Sequence, residues 1–386
     1  MNILFLNSIG RDTWGGGEKW MLTAAAGLRR RGHQVCLSAR QHGALIARGR
    51  ELGLPALPLA IRGDFNVWAA WQLRRFIAAR DVEIVVANFN RDVRLTGLAR
   101  GLARRPLIVA RNGLPILQDN WRYRRTYRRL VAGIVTNTEA IRRRYLGYGW
   151  IPEDFVRVIH NGIDPQVAPR AMGPGPADED LRARHRLARG VPIVGIFGRL
   201  VRQKRHDLFL EAARRVVAAH PETLLLIVGE GPERASIERT AAELGLAAHI
   251  RMAGFQPDVF PLLACCDVVA LTSDDEGLPN ALMEAMLAGR AVVSFGVGGV
   301  EELLGAAGET SGSEGGVIVA AGDPVALAAE VNRLLEDPSR AAALGRRARE
   351  RILREFTVEK MIAQFEGYLL ELLRRDSEEG RAGLKS

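Results

Sequence analysis

The chain has 386 residues, of which 47% are hydrophobic and 25% are charged, and its formal net charge is +10. That length favours two domains, and the balance of apolar and charged residues excludes intrinsic disorder. No run approaches the roughly 20 apolar residues of a membrane span, and residues 1–8 do not resemble a signal peptide, so we expect a cytoplasmic protein. The three cysteines, at positions 36, 265 and 266, have no metal-ligand spacing.

The positive charge is concentrated in the first part of the chain. Residues 1–164 contain 27 Lys and Arg against 12 Asp and Glu, so they carry +15, and the remainder carries −5. Such asymmetry predicts an anionic neighbour for the first part, which could be membrane headgroups, phosphates or nucleic acid.

The first part of the chain predicts an alternation of strands and helices. Short β-branched or leucine-rich runs predict strands, and longer amphipathic runs such as Lys19–Arg31 predict helices. This rhythm is typical of βαβ units, in which helices cover both faces of a parallel sheet. The predicted strands are Asn2–Leu6, Gln34–Ser38, Ile84–Ala87, Leu107–Ala110 and Gly133–Thr136.

A glycine-rich turn follows the first predicted strand and reads Thr13-Trp14-Gly15-Gly16-Gly17-Glu18. Glycine lets the backbone approach a phosphate closely, and the N-terminus of the next helix supplies N–H donors. The third spaced glycine of the dinucleotide fingerprint is missing. The pattern therefore fits either phosphate contact at Gly16 and Gly17 or a flexible turn.

The segment Trp121–Leu130 interleaves aromatic residues with arginines on a predicted helix. Such a surface suits a membrane interface, where the rings lie at headgroup depth and the arginines meet anionic lipid. It also suits a phosphorylated, lipid-linked acceptor. A solvated helix whose rings pack on the first domain is the alternative.

The alternation breaks between Asp164 and Arg189. Pro165, Pro169 and Gly173-Pro174-Gly175-Pro176 are typical of a linker. The acidic run Asp178-Glu179-Asp180 contains an Asp-x-Asp pattern, but it does not follow a strand, so we interpret it as a solvated charge run and predict no required metal.

A second series of strands then begins and predicts a second domain of the same kind. Helical patterns at Asp207–Ala219 and Leu282–Ala288 lie between these strands, and a long amphipathic helix is predicted over about Val358 to Arg375. The predicted strands are Ile193–Phe197, Thr223–Val228, Ile250–Ala253, Val268–Leu271 and Ala291–Ser294.

Two cations follow the first strand of this second series. Gly198-Arg199-Leu200 and then Lys204 lie where that strand ends, and ligands of doubly wound sheets bind at the carboxyl ends of the strands. An Arg fork and a Lys charge can neutralise a diphosphate leaving group without a metal. Two solvated basic residues are the alternative.

The segment Ser273–Met286 combines two carboxylates with a helix start. Pro279 fits the first turn of a helix, so Glu276 lies in the preceding loop and Glu284 in the second turn. The N–H groups of the helix start can hold a phosphate, and the carboxylates can accept hydrogen bonds from sugar and ribose hydroxyls. The residues at this start are Gly277, Leu278, Pro279, Asn280 and Ala281.

In this segment the chain resembles glycosyltransferase family 4. Glu276 and Glu284 form its Glu-x7-Glu signature, within EGLPNALMEAM and followed by AGRAVVS. The resemblance covers nearly the whole chain and is most specific in the second domain. Its further segments occur in the expected order and are Ile159–Asp164, Gly198-Arg199 with Lys204, Val228–Pro232 and Gly298–Glu302.

The resemblance implies an α/β GT-B fold of two Rossmann-like, doubly wound domains that face an interdomain cleft. Residues 1–168 would form an acceptor-binding domain, residues 169–190 a linker and residues 191–356 a nucleotide-sugar-binding domain. Residues 357–386 would form a helix that packs back on the first domain, followed by a polar tail.

The implied activity is retaining, metal-independent transfer of a sugar from a nucleotide-diphosphate donor, with no cofactor, to a glycan or lipid-linked acceptor in cell-envelope polysaccharide or lipopolysaccharide synthesis. Glu276 would contact the donor sugar and Glu284 the ribose. Arg199 and Lys204 would hold the diphosphate, with Gly16 and Gly17 approaching it from the other domain. The protein would be cytoplasmic or peripheral at the inner face of an anionic membrane.

One departure concerns the first domain, where many family members carry a histidine near the reacting centre. The matching region here reads Ala110-Arg111-Asn112-Gly113. The hydrogen-bonding role of that histidine is assigned either to Asn112 or to Asn90, which follows the earlier strand.

Two other functional classes are weighed against transfer. A sugar-nucleotide epimerase would share the fold but needs several ordered acid and base residues in its cleft. A basic nucleic-acid-binding protein would fit the charge, but no recognition module is present. We therefore expect no nucleic-acid partner.

Overall fold

The computed structural model describes residues 1–8, 15–41, 43–61, 66–103, 105–168, 176–305 and 313–382, without the side chains of residues 176–178 and 379–382. The chain forms two compact units. The first combines Met1–Gly162 with Val358–Ser386, and the second is Ile163–Thr357.

The first unit is built on a seven-stranded sheet in the order β3-β2-β1-β4-β5-β6-β7, in which all neighbours pair in parallel. Each strand of such a sheet is buried on both faces, which explains the nearly continuous apolar runs. The strands are β1 (Asn2–Asn7), β2 (Gln34–Arg40), β3 (Ala56–Leu59), β4 (Ile84–Ala87), β5 (Leu107–Asn112), β6 (Val131–Thr136) and β7 (Val156–Val158).

Helices cover both faces of this sheet. They are α1 (Gly16–Arg30), α2 (Ala44–Glu51), α3 (Val67–Ala79), α4 (Asn90–Arg100), α5 (Trp121–Leu130) and α6 (Glu139–Leu146). Successive residues of a strand point to opposite faces, so Ile3 and Phe5 pack with α1 and α2, whereas Leu4 and Leu6 pack with α3 and α4.

The second unit repeats the arrangement on a six-stranded parallel sheet in the order β10-β9-β8-β11-β12-β13. Its strands are β8 (Ile193–Phe197), β9 (Leu224–Val228), β10 (Ile250–Gly254), β11 (Val268–Leu271), β12 (Ala291–Phe295) and β13 (Val317–Val319). Its helices are α7 (Pro176–His185), α8 (His206–Ala219), α9 (Arg234–Glu243), α10 (Phe260–Cys265), α11 (Asn280–Leu287), α12 (Val300–Leu304), α13 (Pro324–Glu336) and α14 (Pro338–Glu355).

The last helix, α15 (Val358–Ala382), belongs to the first unit. Phe365, Tyr368 and Leu369 are buried in the core that α1 also lines, and the Phe365 ring packs edge-on against Trp20 at 5.2 Å between centroids. Ion pairs between Arg31 and Glu366 and between Arg157 and Glu371 tie the flanks of α15 to the same unit.

All ten strands predicted from the sequence are present, which confirms the predicted α/β fold class. The prediction missed β3, β7 and β13, each of only three or four residues at or near a sheet edge. The boundary also differs, because residues 163–168 belong to the second unit and part of the predicted linker, residues 176–185, forms α7. The proline-rich residues 169–175 lie outside the described residues.

None of the helices within the described part of the chain is both long and apolar enough to cross a membrane.

Candidate functional site

Two loops at the carboxyl edge of the second sheet are in backbone contact. The loop after β8 contains Gly198 and Arg199, and the loop after the neighbouring strand β9 begins at Gly229. A Cβ added to Gly229 would lie 1.8 Å from the Gly198 carbonyl oxygen, so only glycine fits there. Arg199 is exposed, and its side chain forms no ion pair with the described residues, which leaves its guanidinium available to an anion.

Lys204 and Glu276 form an ion pair in this site. Lys204 ends a 3₁₀ turn (Arg202–Lys204), and its Nζ donates to Glu276 Oε1. The two side chains are only 15% and 10% exposed. Ser273 Oγ donates to the same Glu276 oxygen at 2.6 Å. The charge-assisted hydrogen bond and the Ser273 contact fix the Lys204 and Glu276 side chains relative to each other.

Hydrogen bonds between two loops hold this pair in register. Thr272 Oγ1, just after β11, donates to the carbonyl oxygens of Lys204 at 2.9 Å and Arg205 at 3.0 Å. The Asp274 N–H donates to the Gln203 carbonyl oxygen at 2.9 Å. The loops that carry Lys204 and Glu276 are therefore tied to each other by three hydrogen bonds.

The helix start at α11 follows the pattern predicted from the sequence. Pro279 precedes the helix in extended conformation, and α11 then runs over Asn280–Leu287. Gly277, Leu278 and Pro279 are buried, whereas Asn280 and Ala281 are partly exposed. Glu284 lies one turn into the helix and is also partly exposed. The loop, the helix start and both glutamates thus lie on one continuous segment.

Two glycines of the loop after β12 pack against the backbone of Glu276. Gly298 has φ of +53°, and a Cβ added to it would lie 1.9 Å from the Glu276 carbonyl oxygen. The next residue, Gly299, donates its N–H to the carbonyl oxygens of Glu276 at 3.2 Å and Gly277 at 3.1 Å. The position of the Glu276 backbone therefore depends on the absence of a side chain at residue 298.

The first unit has its own polar cluster at the start of α1. Residues 13 and 14 of the glycine-rich turn lie outside the described residues, but Gly15 caps α1, and Gly16 and Gly17 are its first residues. A Cβ added to Gly17 would lie 3.6 Å from Asn88 Nδ2 and 3.7 Å from Arg111 Nη1.

Arg111 is a residue of this cluster that the sequence analysis did not single out. It is only 6% exposed, its guanidinium stacks over Trp20 at 4.6 Å, and it donates to Asn161 Oδ1 at 3.3 Å. Burial lowers the pKa of Arg111 to about 10, and nearby Glu18 opposes that shift. An arginine near the end of an otherwise apolar strand is the signal that could have revealed it.

Asn112 and Asn90 are each hydrogen-bonded to a tyrosine. Asn112 neighbours Arg111 on β5, so its side chain points to the opposite face of the sheet. There it is buried and donates to the Tyr145 hydroxyl at 3.1 Å. Asn90 accepts a hydrogen bond from the Tyr127 hydroxyl at 2.5 Å. Both amides are thus engaged by tyrosines of the core, and a role for either of them at the reacting centre stays a prediction.

The aromatic and basic helix α5 divides its rings between core and surface. Tyr127 is buried, whereas Trp121 is 67% exposed and its ring lies under Arg122 at 5.6 Å. On α3, Trp68 and Trp71 are 62% and 44% exposed and stack on each other at 4.8 Å. Helix α3 packs beside α4, and α4 beside α5. The exposed rings therefore occur on helices that cover one face of the first unit.

Within the described residues, no three His, Cys, Asp or Glu side chains are grouped as a metal site would require.

Two family profiles match consecutive parts of the chain. Glycosyltransferase Family 4 matches residues 14–167, and Glycosyl transferases group 1 matches residues 177–351.

The chain is similar to several bacterial proteins. It is 32% identical to the 2-deoxystreptamine glucosyltransferase of Streptomyces kanamyceticus, over 62% of this chain and 59% of that protein. It is 30% identical to the GDP-mannose-dependent alpha-(1-6)-phosphatidylinositol monomannoside mannosyltransferase of Mycolicibacterium smegmatis, over 72% of this chain and 73% of that protein. The match thus spans less than two thirds of the first relative.

The fold is similar to that of Anabaena Alr3699/HepE, whose crystal structure contains UDP. The two share a TM-score of 0.82 and 22% identity over 96% of this chain and 100% of the other. Two parallel sheets, each covered by helices, agree with the predicted two-domain GT-B fold.

Proposed function

Since this chain belongs to the group 1 glycosyltransferases of glycosyltransferase family 4, we propose that it transfers a sugar from a nucleotide-diphosphate donor to a glycan or glycolipid acceptor. The observation that carries the proposal is the buried Lys204–Glu276 pair, located beside Arg199 and before the helix start of α11. Synthesis of a cell-envelope polysaccharide or lipopolysaccharide is the process proposed.

The donor would bind at the carboxyl edge of the second sheet. Arg199 and Lys204 would neutralise the diphosphate, and the first N–H groups of α11 would add hydrogen bonds. Glu276 would accept hydrogen bonds from the sugar and Glu284 from the ribose. Lys204 uses one of its three N–H donors on Glu276, so its ammonium would bridge the Glu276 carboxylate and an arriving phosphate, and Glu276 would keep acceptor sites for sugar hydroxyls.

We propose that transfer retains the anomeric configuration and needs no metal. The bond from the anomeric carbon to the diphosphate oxygen would break as the acceptor oxygen attacks from the same face, and the leaving phosphate would take the acceptor proton. Charge that develops on the phosphate would be stabilised by Arg199 and Lys204. NMR assignment of the product anomer would test retention, and activity in excess EDTA would test metal independence.

The relatives differ in acceptor, and one of them supports a lipid-linked sugar. One is named for an aminocyclitol acceptor, 2-deoxystreptamine, and another for a phosphatidylinositol monomannoside. Their names also differ in the sugar transferred, since one is a glucosyltransferase and the other a GDP-mannose-dependent mannosyltransferase, so together they favour no single donor here.

Thermal unfolding with UDP, GDP, ADP and CMP and their common sugar conjugates, without added metal, tests the donor site. A ligand that binds the folded state must raise Tm. We expect one base to give the shift and Glu284→Ala to reduce it. Glu238→Ala, on the surface of α9, is the matched control and should leave the shift unchanged. No shift with any nucleotide would refute the donor site.

We also propose that the first unit binds reversibly to an anionic membrane at its cytoplasmic face. Trp68, Trp71 and Trp121 provide rings of the kind found at bilayer interfaces, and residues 1–164 carry the positive charge. Vesicles containing anionic lipid should pellet the protein at low salt, and Trp68→Ala with Trp71→Ala should release it. Phe255→Ala, an exposed aromatic of the second unit, is the control. No pelleting of the wild type would refute this proposal.

A further inference from the structure

A polar groove of about 370 Å³ lies on the second unit, beside the 3₁₀ turn that carries Lys204. The first turns of α8 and α9 form its two walls, and Asp274 of the loop after β11 closes one side. Leu210 and Ile237 are buried at its floor. The groove is lined by none of the residues assigned to the donor, which are Arg199, Lys204, Glu276 and Glu284.

His206 lines this groove as a buried side chain without a partner. It is the first residue of α8 and is only 4% exposed. Its Nδ1 is fully buried and has no hydrogen-bond partner in the described part of the chain. Nε2 forms no hydrogen bond with those residues either, but it is not fully buried, so it is the ring nitrogen that can meet a ligand. Buried polar side chains nearly always have a partner.

The His206 ring is neutral at physiological pH. Burial, assisted by the charge of Lys204, lowers the pKa of His206 to about 4, and Asp207 opposes that shift. A neutral imidazole has one N–H donor and one acceptor nitrogen, so Nε2 presents one of the two according to the tautomer. A hydroxyl group can both donate and accept and therefore complements Nε2 in either tautomer, whereas an ammonium group only donates and a carboxylate only accepts.

The charged side chains of the groove carry no excess of positive charge. The Arg205 guanidinium is held by two carboxylates, since Nη2 donates to Asp207 at 2.9 Å and Nη1 donates to Asp274 at 2.9 Å. The groove also contains Arg202 and Glu233, so two arginines face three carboxylates. Among the residues that the structure describes, these carboxylates are not grouped as a metal ion would require. A neutral ligand therefore fits the groove better than an anion or a metal ion.

The walls offer further partners for hydroxyl groups. Ser236 and Thr240 are four residues apart on α9, so their hydroxyls lie on the same face of that helix. The side chains of Asp207 and Asp274 are 58% and 56% exposed, so they keep acceptor sites beside those that Arg205 uses. The buried floor supplies apolar surface for C–H groups. A saccharide presents both kinds of group, hydroxyls and C–H faces, on one rigid ring.

We propose that this groove binds a neutral saccharide, with one hydroxyl on His206 Nε2 and others on the side chains of Ser236 and Asp207. The site is separate from the donor site, and the proposal goes beyond sugar transfer itself. Two sources carry the required chemistry. One is a sugar residue of the glycan that the enzyme extends, which rests on the proposed function, and the other is a free saccharide that acts as an effector.

The test is ¹⁵N NMR of the histidine rings in the full chain, which has seven histidines. The probes are glucose, galactose, mannose and N-acetylglucosamine and their disaccharides, and His206→Phe identifies the His206 signals by their loss. We expect one of these sugars to shift the Nε2 resonance of His206, because that nitrogen gains a hydrogen bond. No shift of the His206 signals with any of them would overturn the proposal.

Two variants of α9 test whether the sugar occupies the groove. Ser236→Trp fills the groove without changing His206 and should abolish the shift. Ala235→Trp places the same side chain on the next residue, which is exposed and does not line the groove, and should leave the shift unchanged. Equal sugar binding in these two variants would overturn the site. Binding that Glu276→Gln abolishes and Ser236→Trp does not would place the sugar in the donor site and would count equally against the groove.

His206→Phe provides an independent measurement, because it removes the ring nitrogens and keeps the volume of the side chain. The loss of one hydrogen bond should weaken sugar binding about fivefold or more, as measured by saturation-transfer NMR, while Tm shows that the variant is folded. An unchanged sugar Kd in this variant would contradict the role of His206.

Nucleotide binding separates the two sources of the sugar, because the groove residues Arg205 and Asp274 lie close in sequence to Lys204 and Glu276. An effector must change the nucleotide Kd by the same factor by which the nucleotide changes the sugar Kd. A glycan subsite should instead bind oligosaccharides more tightly as they lengthen and leave the nucleotide Kd unchanged. The His206 titration needs no nucleotide, so failure of all nucleotides to bind would refute the donor site and not the groove.

Discussion

Replacement of Gly298 by alanine should displace Glu276 and so lower kcat/KM for the donor in a protein that still folds. The added Cβ would lie 1.9 Å from the Glu276 carbonyl oxygen, and Cβ contacts below 3.0 Å are essentially never seen. Either Glu276 or Gly298 must therefore shift by about 1 Å, a displacement that can reduce a catalytic rate by about a hundredfold.

The expected loss of stability has two separable parts. Left-handed backbone costs a non-glycine residue roughly 1 to 2 kcal/mol, and overpacking adds roughly 1 to 3 kcal/mol. Gly322→Ala is a matched control, because its φ is +76° and no atom lies within 4 Å of the added Cβ. We expect Gly322→Ala to lose only the first part and Gly298→Ala roughly 2 to 5 kcal/mol in all.

Thermal unfolding and donor kinetics measured on both variants provide the assay. A unit of this size loses roughly 2 to 4 °C in Tm per kcal/mol, so the two variants should be resolved. Only Gly298→Ala should also lower kcat/KM for the donor. If Gly298→Ala and Gly322→Ala have equal Tm and equal kcat/KM, the contact between residue 298 and Glu276 does not position the carboxylate.

Three further outcomes are expected. Burial raises the pKa of the Asp92 carboxyl to about 7, so the folded state binds more protons than the unfolded state between about pH 4 and pH 7. The free energy of unfolding therefore falls across that range by up to about 1.4 kcal/mol per pH unit. Asp92→Asn should remove this loss, and a Tm difference between the variant and the wild type that does not grow with pH would contradict the prediction. The Cβ added by Gly17→Ala would lie 3.6 Å from Asn88 Nδ2 and 3.7 Å from Arg111 Nη1, which are ordinary contacts. The Tm should therefore be unchanged, while the added methyl group lowers transferase activity. Full activity of the variant would refute substrate contact at Gly17. A Cβ on Gly133 would lie 2.0 Å from the Tyr368 hydroxyl, which is buried without a hydrogen-bond partner in the described chain. Tyr368→Phe should therefore rescue most of the Tm lost by Gly133→Ala. Additive effects of the two substitutions on Tm in the double variant would exclude that clash.

The second-unit site could be predicted from the sequence because its parts are local. Glu276, Pro279 and Glu284 lie on one short segment, and the start of a helix can be read from its capping residues. The structure adds the pairing of Glu276 with Lys204, which are 72 residues apart. That contact depends on β8 and β11 being neighbours in the sheet, an order that no local pattern specifies.

The first-unit site could not be predicted in the same way. Arg111 and Asn112 are adjacent, and a shift of one residue along a strand reverses the face to which a side chain points. The predicted residue, Asn112, points to Tyr145, whereas the Arg111 guanidinium points toward Gly17. Asn88 and Asn161 lie in the segments that follow β4 and β7, and they join Arg111 only through tertiary structure.

The return of α15 to the first unit sets the order in which the protein can mature during translation. Residues 163–357 form a contiguous unit and can fold as soon as they have left the ribosome. The first unit has to wait for Phe365 and Leu369, which fill its core beside α1. At about 5 to 20 residues per second, the apolar face of α1 stays uncovered for roughly 10 to 40 seconds after residue 162 is made. The part of the chain that is synthesised first is therefore the last to complete its core.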